Sequence, residues 1–314
     1  MNYSNSQRAG VILYLAASLF GGYDWDETEK QSLDCYFFGS YTGDVALVYL
    51  GPMVLALVSS FTKWDGMQSM RFIGLENYIK IFRDSVFHAA LWHTLFWALL
   101  AVAVHVPFGV LVALVLKRKR RGWRFTRSVF MLPNIISRSA LALMFVFIYK
   151  PDMGILNMLL KSVGLEHLTR NWLVDSQTAF LSVTNIWLWY AAVITLIVLA
   201  ELSSISSEIE DAARIDGATA RQVDCFIYLP LLRRAIGTGA IVAVTSVFKE
   251  FESIYMTTNG GPGDSSMTIS VMMVNKIIQS NQYGYANTLG ILLLVLGILV
   301  MLFCNKLFRM DSVD

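Results

Sequence analysis

EIEDAARIDGATARQVDCFIYLPLL, residues 208–232, lies between two strongly apolar stretches and carries five acids, two arginines, one glycine and one proline. Ile205, Ile209, Ala212 and Ala213 recur at i, i+4, i+7 and i+8, the spacing of one helical face, with acids and Arg214 on the other. Gly217 breaks that helix. A second periodic set, Ala218, Gln222, Cys225, Phe226 and Leu229, follows at the same spacing, and Pro230 ends it. The stretch therefore predicts two short helices bent at a glycine. A helix lying on a membrane surface is rich in Lys and Arg with bulky apolar residues opposite, whereas residues 201–234 hold six acids against four bases. Small alanines on an exposed face let another protein approach closely, with the flanking charges as a polar rim. A solvated linker hairpin is the alternative.

The flanking sequence decides the class. Hydrophobic residues make up 55% of the 314-residue chain, charged residues 15%, and the mean hydropathy is +0.54, well away from a soluble domain. Crossing a hydrocarbon core of about 30 Å takes about 20 helical residues. Runs of that kind lie at 88–116, 127–149, 179–200, 235–256 and 287–308, and a shorter sixth at 44–61. The expected fold is an all-α polytopic membrane protein of about six transmembrane helices. An earlier apolar piece at 9–22 reads as a short interfacial or signal-like segment within a divergent N-terminal segment, residues 1–43, ahead of the transmembrane domain at 44–314.

Orientation follows from KRKRRGWRFTR at 117–127, seven positive charges without an acid, squeezed between two spans. So short a basic loop is cytoplasmic by the positive-inside rule, which explains the charge better than a nucleic-acid patch does. Both termini and residues 202–234 are then expected inside, with 62–87, 150–178 and 257–286 outside; Lys306 and Arg309 agree.

Catalytic chemistry finds little support. Cys35, Cys225 and Cys304 fall in different predicted compartments without metal-ligand spacing and read as packing residues. Neither an H-E-x-x-H helix nor a G-x-x-x-x-G-K-[ST] loop is present. GPGD at 261–264 has the form of an intramembrane aspartyl protease motif, but Asp264 lies in a Gly/Pro/Ser-rich loop and Asp24 in a polar segment, unlike a proton-sharing pair within a bundle.

DAARIDGA at 211–218 followed by YLP at 228–230 resembles the EAA loop of permease subunits in ATP-binding-cassette importers. IGLENY (73–78), LP (132–133), GILN (154–157), FE (251–252), TNGGPG (258–263) and GYANTLG (284–290) resemble, in order, the carbohydrate-uptake branch of the maltose and glycerol-phosphate permease type. The resemblance runs from about residue 45 to the C-terminus. It implies that the loop at 205–232 is a cytoplasmic coupling helix docking on an ATPase through Glu210, Asp211, Ala212, Ala213, Asp216 and Gly217, with Leu229 and Pro230 completing the motif. Asp211 stands where the motif has glutamate, and Ser206 replaces its proline. The resemblance further implies an inner-membrane complex with a second homologous permease, a pair of ATPase subunits holding ATP-Mg, an extracytoplasmic solute-binding protein and surrounding lipid. It implies no cofactor, metal or catalytic residue on this chain.

A charge at bilayer depth costs on the order of 3 kcal/mol and marks a pathway or a pair. Arg138 stands mid-span beside Asn134 and Ser137; Lys249, Glu250 and Glu252 stand in the outer part of 235–256, where Lys249 and Glu252 at i, i+3 can neutralise one another. Asn185, Trp187, Trp189 and Tyr190 stand in the outer part of 179–200. Hydrogen-bonding groups beside aromatic rings suit a carbohydrate route, and Arg138, Asn185, Trp187, Lys249 and Glu252 are the expected lining; interfacial aromatics and a structural ion pair are the alternative. TNGGPGDSS at 258–266 is expected to be a flexible turn, and the resemblance makes Gly260, Gly261 and Pro262 face the binding protein. The competing function is an ion-coupled secondary transporter acting as a single chain.

Overall fold

The computed structural model describes residues 48–188 and 190–308. Segment 1–43 with Asp24 and Cys35, the start of the first predicted span, Trp189 and the tail containing Arg309 lie outside the described residues. Contacts divide the chain into two units, Met1–Val58, helical where described, and Ser59–Asp314.

Helix α1, Val48–Ser60, leads into a hairpin of β1, Thr62–Lys63, and β2, Arg71–Phe72, paired antiparallel with Thr62 opposite Phe72. Helix α2, Glu76–Arg83, follows, and its buried Asn77 donates to the carbonyls of Ser60 and Thr62, both at 2.9 Å. Helix α3, Ser85–Lys117, begins where Asp84 accepts from the Val86 amide at 2.9 Å. Its 33 residues span about 50 Å and include one π turn, Ala101–His105.

The predicted span at 127–149 is not a straight crossing. It is α4, Trp123–Ile135, and α5, Arg138–Ile148, bent by 95°. Pro133 inside α4 has no amide to donate, and Ile136 and Ser137 are extended. Helix α6, Ile155–Ser162, leads through a short 3₁₀ turn to α7, Ala179–Trp187, and α8, Ala192–Ser204, flank residues 188–191. The loop pair is α9, Ser207–Ile215, and α10, Ala220–Leu231; a 70° bend separates it from the next segment, Arg233–Tyr255. That segment is broken as well, α11, Arg233–Lys249, ending at extended Glu250 before α12, Glu252–Tyr255. The predicted outer segment 257–286 is not all loop: it contains α13, Ile269–Ile278, whose first residues are buried, and the start of α14, Tyr283–Phe308.

Among the described residues three helices are long and apolar enough to cross a membrane, or five if each bent pair is one span. They close on one another through small residues. A Cβ on Gly109 of α3 would lie 2.9 Å from Cβ of Ile194 on α8, and one on Gly239 of α11 would lie 3.2 Å from Cγ2 of the same isoleucine. Thr195 of α8 donates to the Gly109 carbonyl at 3.0 Å, a cross-helix bond of the kind that replaces the hydrophobic effect in lipid. Around this contact Trp97, Val198, Leu202, Ala240, Val244 and Leu289 form the buried core.

Candidate functional site

Two sites emerge, one in the loop pair and one where the broken helices meet. Helix α9 starts at Ser206, whose hydroxyl accepts from the Glu208 amide at 3.3 Å, so serine caps where the resemblance expected proline. Glu208 and Glu210 sit in the first turn and Arg214 in the last, matching the helix dipole. At the other end Ala218 N donates to Ala213 O at 2.9 Å and Gly217 N to Arg214 O at 3.1 Å, a Schellman-type ending that needs the left-handed φ of +82° at Gly217. Thr219 and Gln222 then cap α10 reciprocally. The predicted glycine-bent pair is therefore present. The second helix closes one residue after Pro230: α10 runs through a π turn, Val223–Tyr228, to Leu231, and the chain then bends by 70°.

The pair has distinct faces. Ile205, Ala213, Ala218 and Leu229 pack against the core, whereas Asp211, Ala212, Asp216, Gly217 and Pro230 are exposed. Ile215 and Phe226, 87% and 77% exposed, stand beside them, and a groove of about 290 Å³ runs along Asp216, Gly217, Gln222 and Phe226. Cys304 is buried as expected, but Cys225 is exposed on this face.

Glu210 behaves differently from its neighbour Asp211. Tyr228 donates its hydroxyl to Oε2 of Glu210, Lys117 at the end of α3 approaches the same oxygen at 3.3 Å, and Arg214 donates to Oε1 at 2.6 Å. Led by the tyrosine bond, these contacts pull the carboxyl down to about 2. Arg118 pairs with Asp224 beside it. Sequence reasoning missed Lys117, Arg118 and Tyr228, since nothing in the spacing relates α3's end to residues a hundred positions later.

The second site gathers the helix breaks. Arg138 opens α5 and pairs with Glu250, which is 1% exposed, while its guanidinium carbon lies 5.1 Å from the Tyr190 ring centroid. Glu250 also accepts from Ser253 N at 3.1 Å and Ser253 Oγ at 2.8 Å, and Ser139 donates to Glu252 at 2.9 Å. The expected Lys249–Glu252 pair is replaced: the break at Glu250 abolishes the i, i+3 geometry, and Lys249 is exposed with no ion pair among the described residues. Asn134 Nδ2 and the Tyr190 hydroxyl are buried without a hydrogen-bond partner among the described residues.

Asn185 is exposed, donates to the Tyr149 hydroxyl at 2.9 Å and lines a cavity of about 240 Å³ with Tyr149 and Trp172. Trp187 is a core residue rather than a lining one. It is 1% exposed and stacks on Trp97 at 5.1 Å, a ring fixed in turn by a 2.8 Å bond to Thr184. The turn at 258–266 packs and bonds internally: Gly260 is buried at φ +90°, a Cβ there would meet Met267 at 2.6 Å, and Ser266 donates to the Gly261 carbonyl at 2.8 Å. Gly261 and Pro262 remain half-buried. Among the described residues no group of three His, Cys, Asp or Glu is placed to hold a metal.

Comparison with known proteins decides the family. The model for the inner membrane component of binding-protein-dependent transport systems matches residues 105–309. The chain belongs to this family. The permease is 34% identical over 266 residues to the probable ABC transporter permease protein YurN of Bacillus subtilis, covering 83% of this chain and 91% of that protein. It is 32% identical over 257 residues to the multiple sugar-binding transport system permease protein MsmF of Streptococcus mutans, covering 80% of this chain and 87% of that one. A solved bacterial alginate ABC transporter, in complex with an alginate pentasaccharide-bound periplasmic protein, contains a chain of the same fold: TM-score 0.78 at 22% identity, over 91% of this permease and 97% of that chain. The protein is thus a multi-pass permease subunit of a binding-protein-dependent ABC importer.

Proposed function

We propose that this permease forms one half of a translocation pathway for a sugar, an oligosaccharide or a related polyol. In this reading a second, homologous permease supplies the other half, a solute-binding protein delivers the substrate, and a cytoplasmic ATPase pair holding ATP-Mg drives the cycle. The substrate class is supported by the MsmF relative, named for multiple sugars, and by the alginate transporter of the same fold. The exposed face carrying Asp211, Ala212, Asp216 and Gly217 docks on the ATPase, with the exposed Ile215 and Phe226 as its apolar contacts. Arg138 and Glu252 line the pathway at the helix breaks beside Asn134 and Tyr190, and the buried Glu250 braces Arg138 from behind. Asn185, Lys249 and the turn at Gly260, Gly261 and Pro262 lie toward the outer end.

Both termini and the loop pair face the cytoplasm. Lys117 and Arg118 of the basic loop touch Glu210 and Asp224, which supports one side for both loops, and the hairpin meets the start of α14 at the other end, where Gly284 N donates to Trp64 O at 3.2 Å.

The observation that carries this reading is the exposed, glycine-bent helix pair. Proline cannot adopt the φ of +82° at Gly217. Gly217→Pro in the complete transporter should therefore reduce ATP-driven uptake at least tenfold while the permease still reaches the membrane. Undiminished uptake by that variant would remove the loop from coupling.

A further inference from the structure

A coupling loop joined covalently to α8 and α11 has no sequence connection to α3, which lies about ninety residues away. The structure supplies one. We propose that Lys117, held between Glu210 and the ring of Tyr228, together with the Arg118–Asp224 pair, anchors the coupling loop to the cytoplasmic end of α3, so that displacement of the loop is delivered to that helix. The inference rests on the docking role proposed above for α9 and α10.

Both oxygens of the carboxylate are engaged. Tyr228 and Lys117 share Oε2 of Glu210, Arg214 takes Oε1, and the Lys117 ammonium lies 3.4 Å from the centroid of the Tyr228 ring. The lysine therefore binds an anion and an aromatic face together, both strengthened by partial burial. Tyr228 is 2% exposed and ends the π turn of α10, the extra residue that turns its ring toward α3 rather than along the regular helical face. Arg118 makes a second tie to Asp224, and its guanidinium reaches the Ala220 carbonyl at 3.5 Å. A groove of about 470 Å³ lies between these charges.

What the anchor would move is equally specific. Along its length α3 is pressed against α8 at Gly109. Toward its other end His93 donates to the Met267 carbonyl at 2.7 Å, and Thr94 accepts from the Ile269 amide at 3.2 Å. One helix thus touches the coupling loop at one end and the segment leading into α13 at the other. Lys117, Arg118, Tyr228 and Asp224 are positioning residues in this scheme. They touch neither substrate nor nucleotide.

The test uses the complete transporter, with both permeases, ATPase and binding protein, in proteoliposomes. It reads saccharide taken up per ATP hydrolysed, together with co-purification of the ATPase. Lys117→Met keeps the aliphatic stem and removes the ammonium that meets Glu210 and the Tyr228 ring; it should lower uptake per ATP about fivefold or more with the ATPase still bound, the scale of a lost charge-assisted hydrogen bond. Arg118→Asp and Asp224→Arg should each do the same, and the double exchange should recover at least half of the wild-type ratio. A wild-type ratio in Lys117→Met, or a double exchange no better than its single variants, would overturn the anchor. Loss of the ATPase from Lys117→Met would also overturn it, by assigning the lysine to docking or loop folding. Gly217→Pro run alongside separates the two readings: if it uncouples while Lys117→Met does not, the docking role stands and the anchor falls.

Discussion

Removing Arg138 would strand a carboxylate inside the bundle. The Glu250 side chain is fully buried, and its Oε2 has Arg138 as its ion-pair partner, while Oε1 keeps two bonds from Ser253. Breaking a buried pair costs about 3–5 kcal/mol, and the surviving Ser253 bonds put Arg138→Met at the lower end, about 3 kcal/mol. Arg138 is one-third exposed and keeps the Tyr190 ring, so Glu250→Gln should cost less, about 2 kcal/mol. The double variant has no stranded charge and should cost about 2 kcal/mol, leaving an interaction energy near 3 kcal/mol. Equilibrium unfolding of the four proteins in detergent, by denaturant titration, measures this cycle. If the single costs simply add, within about 0.5 kcal/mol, the pair does not hold the broken helices together.

Three further outcomes follow from the packing and charge. Gly109→Val would drive a side chain into Ile194 and the Thr195 backbone and should lower the melting temperature of the purified complex by several degrees, whereas Gly122→Ala meets no atom within 4 Å, and its cost is confined to the positive φ of +88°. In Gly284→Ala the new Cβ would lie 2.1 Å from the Thr62 carbonyl, and proteolysis of the hairpin should accelerate as α14 is pushed off it. Glu210 has its carboxyl pulled from 4.5 to about 2, so its stabilisation is complete above pH 4.5 and lost as pH falls toward 2, with solvent screening holding it to about 1 kcal/mol; thermal unfolding should show this acid loss, and Glu210→Gln should abolish it.

The long helices were legible because α3 and α14 are single apolar runs, and the loop pair because its signals are local: two short periodic faces with Gly217 at the bend between them. The breaks were not. Pro133 marks where an amide is missing, but the extended residues after it are held by Arg138 reaching Glu250, a contact across 112 positions. Pairing Lys249 with Glu252 assumed an unbroken helix, which the turn at Glu250 removes. Trp187 had the composition of a lining residue and the position of a core one, a distinction set by the facing Trp97 on another helix. Within the loop, Asp211 drew attention for its place in the motif, whereas the contacts belong to Glu210, whose partners lie on α3 and at the far end of α10.

Uptake of labelled oligosaccharide into proteoliposomes, with ATP enclosed and binding protein outside, decides what kind of transporter this chain serves. Uptake should require the second permease, the ATPase, ATP and the binding protein together, and should be indifferent to proton or sodium gradients. Accumulation by this chain alone, driven by an ion gradient without ATP, would contradict the account.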